Sequence, residues 1–429
     1  MTRNLLALCL LLVPVVAAPA ADLELKKGDH ICIIGNALAE RMQHFGWLET
    51  RLHSRFPEHE LVIRNLGYSA DEIDGFRNFN HRLRSMSFGS QDEWLAGKSG
   101  VPQPAKLSPR DQGKVRENRF ELTNTKADVI FAFYGYNESY GGEKGLPEFK
   151  KNVEEFIKHT LGQQYNGHSA PRLVLFSPIG VETILDPNLP SAKAVLETNQ
   201  RLKLYAGAMA EVAKANSVLF VDLFGVTLGE RTPQQSLTIN GIHQNALGDS
   251  LIAAAAEQGL FPGGPQIKRD ANALEAVRQA VLDKNFYWYN RYRVTDGFST
   301  YGDRAFLKFS EGPGGYGDGL SNYSVGQREL DVIDVLTSNR DAAVWSAARG
   351  KPAQPVDDNL PEFIPVISNK PGPLEGGKHI FLSGAESISK MTVGAGLAVE
   401  LFADESMFPE LVNPVQMAFD TKGRLWVAA

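Results

Sequence analysis

Cysteine is nearly absent: two in 429 residues, Cys9 and Cys32. No disulfide framework can be built from them, and Cys9 lies in a leading segment expected to be removed, so the fold must stand on its core. Blocks of like charge are also missing. Lys+Arg 44 against Asp+Glu 50 gives a net charge of -6 with both signs interspersed, which excludes a nucleic-acid partner. No Cys-x-x-Cys-His run and no other ligand motif for haem or nicotinamide occurs, so no cofactor or metal is expected. Beyond the leading residues no stretch approaches the roughly eighteen continuous apolar residues of a membrane helix. Apolar residues are nevertheless plentiful at 43%, so the chain is not disordered, and its length suits two globular units.

The start of the chain has the pattern of a secretory signal peptide: Arg3, an apolar run from Leu5 to Val16, and the small-residue site Ala18-Pro19-Ala20. Residues 1–21 are therefore expected to direct export to the periplasm or the extracellular space. No integral span is expected after cleavage.

From residue 30 to 260, short apolar runs alternate with amphipathic stretches. His30-Ile31-Cys32-Ile33-Ile34 closes on Gly35, and Leu38, Met42, Phe45, Leu48 and Leu52 follow at helical spacing. Leu61 to Ile63, Val129 to Phe133, Leu173 to Phe176 and Val218 to Val221 are four further runs, short and rich in β-branched or aromatic residues. Helical patterns fill 147–161, 191–215 and 246–258. Apolar strands alternating with helices predict a five-stranded parallel sheet covered on both faces, with function gathered at the strands' carboxyl ends. Those ends carry Gly35-Asn36-Ala37, Asn65-Leu66-Gly67, Tyr134-Gly135-Tyr136-Asn137, Ser177-Pro178 and the loop after Asp222.

Taken together the strand ends resemble the SGNH/GDSL hydrolase family. Gly35-Asn36-Ala37-Leu38 stands where that family has Gly-Asp-Ser-Leu, Gly67 at its second-block glycine, Gly135-Tyr136-Asn137 at its Gly-x-Asn, and Asn240-Gly241-Ile242-His243 at its Asp-x-x-His. The resemblance spans roughly residues 28–260. It implies a flavodoxin-like three-layer α/β/α fold and ester hydrolysis, with acetylated carbohydrate as a candidate ligand. It also implies His243 as the base, and Gly67 and Asn137, with Asn36 beside them, as the oxyanion or ligand-binding set.

Two positions depart from the pattern. Ala37 occupies the nucleophile position and its methyl cannot attack, while Asn240 occupies the acid position and cannot stabilise an imidazolium by charge. Loss of a triad serine costs one well-studied protease about a million-fold in turnover, and acid-to-amide exchange costs another about ten-thousand-fold. Ser69, Ser177 or a water activated by His243 and oriented by Asp222 are the alternatives for attack. Two readings stand side by side: an ester hydrolase working by an altered route, or a non-catalytic pseudo-enzyme that binds a glycan or other ligand for a larger propeller or redox protein.

Residues 76–126 form an insertion far longer than an ordinary connection, expected to shape the site with Arg77, Phe79, His81, Arg82, Arg84, Phe88 and Trp94. Residues 265–350 read as a helical extension of the same domain, which would then span 22–350, with the aromatic run Phe286 to Arg293 packing a helix end or closing the site. Residues 351–391 are a Pro/Gly-rich linker. In 392–429, Leu397 to Ala403 and Val415 to Ala428 read as strands, the latter two joined by Asp420-Thr421-Lys422-Gly423. This tail resembles the start of a β-propeller of the membrane-bound dehydrogenase type. The resemblance implies an incomplete propeller, poorly packed in isolation, with further C-terminal domains in a longer product.

Overall fold

The computed structural model describes residues 22–73, 125–228, 236–265, 267, 270–294, 296, 300, 304, 307, 322–363, 372–411 and 414–428. The export signal, Arg77 to Trp94 of the insertion and Asn413 lie outside the described residues.

Five strands form the central sheet: β1 (His30–Gly35), β2 (Val62–Asn65), β3 (Val129–Phe133), β4 (Arg172–Phe176) and β5 (Leu219–Val221). Their order is β2-β1-β3-β4-β5, and every pairing is parallel. The order reverses between β1 and β3, so the carboxyl end of β1 faces the crevice where α/β sheets bind ligands. Helices α1 (Ala37–Phe45), α2 (Trp47–Arg55), α3 (Gly142–Leu161), α4 (Ala192–Ala215), α5 (Leu223–Thr227) and α6 (Ala246–Leu260) fill the connections. Residues alternate along each strand between two cores. Cys32, Ile34, Ile130 and Ala132 face one with Phe156 and Met209, and Ile31, Ile33, Phe131 and Phe133 face the other with Leu52 and Ile252. Cys32 is a core residue, its thiol 3.0 Å from the Thr125 hydroxyl.

Helices α7 (Ala271–Tyr292) and α8 (Asn322–Ala348) pack along the open edge of the sheet, at β2. The backbone of β2 explains their composition. Its even-numbered residues pair with β1, leaving the carbonyls of Leu61, Ile63 and Asn65 pointing outward, the exposed row that an edge strand must hide. Side chains of the extension cap that row in turn: Trp345 Nε1 donates to Leu61 at 2.8 Å, Lys284 Nζ to Ile63 at 3.0 Å and Trp288 Nε1 to Asn65 at 2.7 Å. Tyr292 Oη donates to the next carbonyl, Leu66, at 2.6 Å. The aromatic run is thus a hydrogen-bonding edge strip, and Phe286, 64% exposed, is its one outward-facing large apolar ring.

Two buried ion pairs lock the same interface. Lys284 meets Glu49 at 2.5 Å, and Arg64 grips both oxygens of Asp341 at 2.9 and 2.5 Å with its guanidinium 5.3 Å from the Trp288 ring. Burial among these charges holds His53 neutral, its pKa lowered to about 3, first by desolvation and then by Lys284.

The chain divides into two compact units, one of residues 1–309 and 319–365, the other of 310–318 and 366–429. The division falls inside the segment expected to be a linker. Its first part is held on α8, because Arg340 pairs with Asp357 at 3.2 Å and Asn339 bonds Asp357 and Asn359. In the second unit, helix α9 (Gly384–Ser389) begins with a Ser383/Glu386 capping box, and β6 (Gln416–Phe419) pairs antiparallel with β7 (Leu425–Ala428). Asp420 makes the turn between them, accepting the N–H groups of Lys422 and Arg424, with Gly423 at φ 76°. Leu397 to Ala403, expected as a strand, has no strand pairing among the described residues. Met417, Phe419 and Trp426 are 66%, 72% and 62% exposed, as two strands without neighbours must be.

Candidate functional site

The site is assembled at the carboxyl end of β1. Gly35 there has φ 126°, and a Cβ on it would stand 2.1 Å from the carbonyl oxygen of Phe133, so only glycine lets β1 and β3 run this close at their ends. Asn36 N then donates to that same oxygen at 3.2 Å, and the chain turns into α1. The Asn36 side chain is buried and caps the helix, its Oδ1 accepting Leu38 N at 3.2 Å. Ala37 is the first residue of α1, half-buried.

The loop after β2 is tied to this point by Tyr68 N, which donates to Gly35 O at 2.8 Å. Gly67 matters here as space: its Cβ would sit 2.4 Å from Glu40 N, so loop and helix touch backbone to backbone. Its own N–H is donated to Asn65 Oδ1 at 2.8 Å, so Gly67 does not offer the free donor expected of it. The open donor of this loop is three residues on. Ala70 sits in the left-handed region at φ 65°, exposed, and its N–H has no acceptor among the described residues. Sequence reading passed over it because alanine gives no sign of a left-handed backbone.

Asn137, after β3, is half-buried and directs Nδ2 to Asp71 O at 3.3 Å, which leaves the second Nδ2 hydrogen unused by the described residues. Its neighbour Glu138 gathers the loops, accepting Ile73 N at 2.8 Å and Gly135 N at 2.9 Å; burial pushes this carboxyl up to about 8.

His243 stands on a short hairpin-like loop. Ile239 N donates to His243 O at 2.9 Å, Asn245 N to Leu237 O at 3.0 Å, and Thr238 bridges Gln244. Glu182, unremarked in the sequence, organises the loop by accepting Ser236 Oγ (2.9 Å), Leu237 N (3.0 Å), Thr238 N (3.0 Å) and Thr238 Oγ1 (2.6 Å). Gln244 then joins the loop to α1: its Nε2 donates to Leu38 O at 3.1 Å and its carbonyl accepts Arg41 at 3.0 and 3.3 Å. Asn240 Oδ1 accepts Ile242 N at 3.3 Å and His243 N at 3.0 Å, and Asn240 Nδ2 lies 3.0 Å from His243 Nδ1. Burial, then the nearby Arg41 charge, lowers the imidazole's pKa against the opposing pull of Glu40, so His243 is neutral at neutral pH.

The alternative attacking groups have hydrogen-bond partners of their own. Ser69 gives both N–H and Oγ to Glu40 Oε2 at 2.5 Å, and Glu40 is held on its other oxygen by Arg293 at 3.2 Å. Ser177 is fully buried, its Oγ accepting Leu223 N and Phe224 N at 2.8 and 2.9 Å at the start of α5. Asp222 caps the same helix through Gly225 N at 3.1 Å and bonds Ser177, so it orients α5 and not His243, whose Nδ1 partner is Asn240. Among the described residues no cluster of three or more His, Cys, Asp or Glu could hold a metal, and no helix is long and apolar enough to cross a membrane.

Residues 44–251 match the GDSL-like Lipase/Acylhydrolase family model, starting just beyond the β1 turn, and residues 383–429 match a domain of unknown function. Curated proteins gave no match. Similar solved structures include LAE5, an alpha/beta hydrolase from the metagenome of Lake Arreo, Spain, at 19% identity over 56% of this chain and 99% of that one, with a TM-score of 0.37. A variant of an acetyl-xylooligosaccharide esterase from Geobacillus stearothermophilus is 14% identical over 57% and 99%, also at 0.37. The gut microbial diltiazem-metabolizing enzyme BT4096 is 18% identical over 56% of this chain and 48% of that one, at 0.36. The family match spans β2 to β5 of the parallel sheet, so residues 44–251 form a GDSL/SGNH hydrolase-like domain.

Proposed function

We propose that this domain is an exported SGNH-type module that binds an acyl-bearing small molecule or carbohydrate without hydrolysing it by the serine route. One observation carries the reading: position 37, at the head of α1, holds a methyl group, and the two serines at neighbouring strand ends have their hydroxyls committed to Glu40 and to the start of α5. The donors that would recognise a carbonyl oxygen remain, on Asn137 and on the backbone of Ala37 and Ala70. Export is supported by the apolar leading run with its small-residue site. The β6–β7 hairpin, apolar and exposed, supports reading 392–429 as the opening strands of a β-propeller in a longer product.

Ester hydrolysis tests the reading. The purified chain is expected to give no His243-dependent turnover of p-nitrophenyl acetate or acetylated oligosaccharides, and Ala37→Ser combined with Asn240→Asp is expected to create it. Turnover by the parent chain that disappears in His243→Ala would overturn the binding reading in favour of the hydrolase one.

A further inference from the structure

We propose that the site is a receptor for a carboxylate, and that Asn240 makes it one by fixing which nitrogen of His243 carries the proton. The inference rests on the non-hydrolytic reading above and deepens it.

An aspartate at position 240 would accept a hydrogen bond from Nδ1–H and leave Nε2 with its lone pair, the arrangement a base requires. Asn240 does the opposite. Its Oδ1 is held by two backbone N–H groups, Ile242 at 3.3 Å and His243 at 3.0 Å. Turning the amide over would set Nδ2 hydrogens against those donors, so the orientation is settled by the backbone. Nδ2 is therefore the atom 3.0 Å from His243 Nδ1, and Nδ1 must accept. A neutral imidazole that accepts at Nδ1 carries its hydrogen on Nε2, and no described residue takes that hydrogen.

Among the described residues, the loops tied to the end of β1 consequently offer a set of hydrogens. They are His243 Nε2–H, the second Nδ2 hydrogen of Asn137, and the N–H groups of Ala37 and Ala70. The hydroxyl that could have accepted a hydrogen bond is missing at Ala37, and the hydrogen of the Ser69 hydroxyl is given to Glu40. Glu40 is paired with Arg293, and the positive potential of Arg41 beside His243 outweighs its opposing pull. A set of donors beside a cation suits a group that is all acceptor and negative. A carboxylate has about four lone-pair positions for these hydrogens, whereas an ester carbonyl has two and no charge.

Nitrogen NMR of His243 and calorimetric titration of the full chain with acetate and glucuronate, beside uncharged methyl acetate, test the proposal. The parent is expected to show the Nε2–H tautomer and to bind the carboxylates at least about tenfold more tightly than methyl acetate. Asn240→Asp keeps both backbone contacts of Oδ1, so the loop should fold. It should move the proton to Nδ1 and weaken carboxylate binding by at least about tenfold, through the lost donor and the added like charge. An Nδ1–H tautomer in the parent, equal affinity for methyl acetate, no carboxylate binding, or undiminished binding by Asn240→Asp would each overturn the carboxylate receptor. None of these touches the non-hydrolytic reading, which fails only on His243-dependent turnover of an ester.

Discussion

At the scale of single residues, the site is set by small side chains that control backbone approach and by one amide. Gly67 is the tightest case. A methyl there would lie 2.4 Å from Glu40 N, backbone that cannot step aside without separating the β2 loop from α1. Gly67→Ala is therefore expected to destabilise by roughly 2 to 3 kcal/mol, read from the shift in chemical-denaturation midpoint. Ala70 is the converse. At φ 65° it bears a left-handed backbone that glycine adopts without strain, so Ala70→Gly should raise the same midpoint by about 0.5 to 1 kcal/mol. The resemblance to a serine hydrolase could be read from the sequence, as could the two departures at Ala37 and Asn240. What Asn240 does to His243 could not, because the tautomer depends on which amide atom the backbone of residues 242 and 243 captures.

At the scale of elements, the helical extension exists to finish the sheet. A parallel sheet normally buries its faces under its own crossovers, but among the described residues β2 has no neighbouring strand on its outer side. Helices α7 and α8 supply one made of side chains, with Lys284 central: it caps the Ile63 carbonyl and neutralises Glu49 in the interior. Lys284→Met should cost about 3 to 5 kcal/mol, since it strands a buried carboxylate. Adding Glu49→Leu should recover most of that loss, because the penalty belongs to the unpaired charge; thermal unfolding of the single and double variants distinguishes this from simple loss of packing. The periodicity that revealed α7 also exposed Trp288 and Tyr292 as a cluster. It gave no hint that they would donate to successive carbonyls of a strand some 220 residues earlier in the chain.

At the scale of the whole molecule, two buried carboxyls tie stability to pH. Burial raises Glu138 and Asp249 each to about 8. Both hold a proton in the folded state that the unfolded chain releases near its ordinary carboxyl pKa of about 4. The folded state therefore binds more protons between about pH 4 and pH 8, so their contribution is fully present at the acid end of that window and fades as pH rises through it. Each group adds up to about 1.4 kcal/mol per pH unit to the slope. Asp249→Asn should flatten that slope, and denaturation series across the window would show a parallel profile instead if Asp249 were ionised in the fold.

The sequence by itself determined the alternation of strands and helices, the parallel sheet and the positions at strand ends, because burial and periodicity are local properties written in consecutive side chains. It also determined that a hydroxyl is missing at residue 37 and an acid at 240. Tertiary structure decided the rest. Gly67 is a spacer and Ala70 the open donor, Ser177 and Asp222 serve a helix start, and Leu397 to Ala403 stays unpaired. Each of these turns on a hydrogen bond or a close approach between residues far apart in the chain, and no local pattern records which distant atom will be within three ångströms.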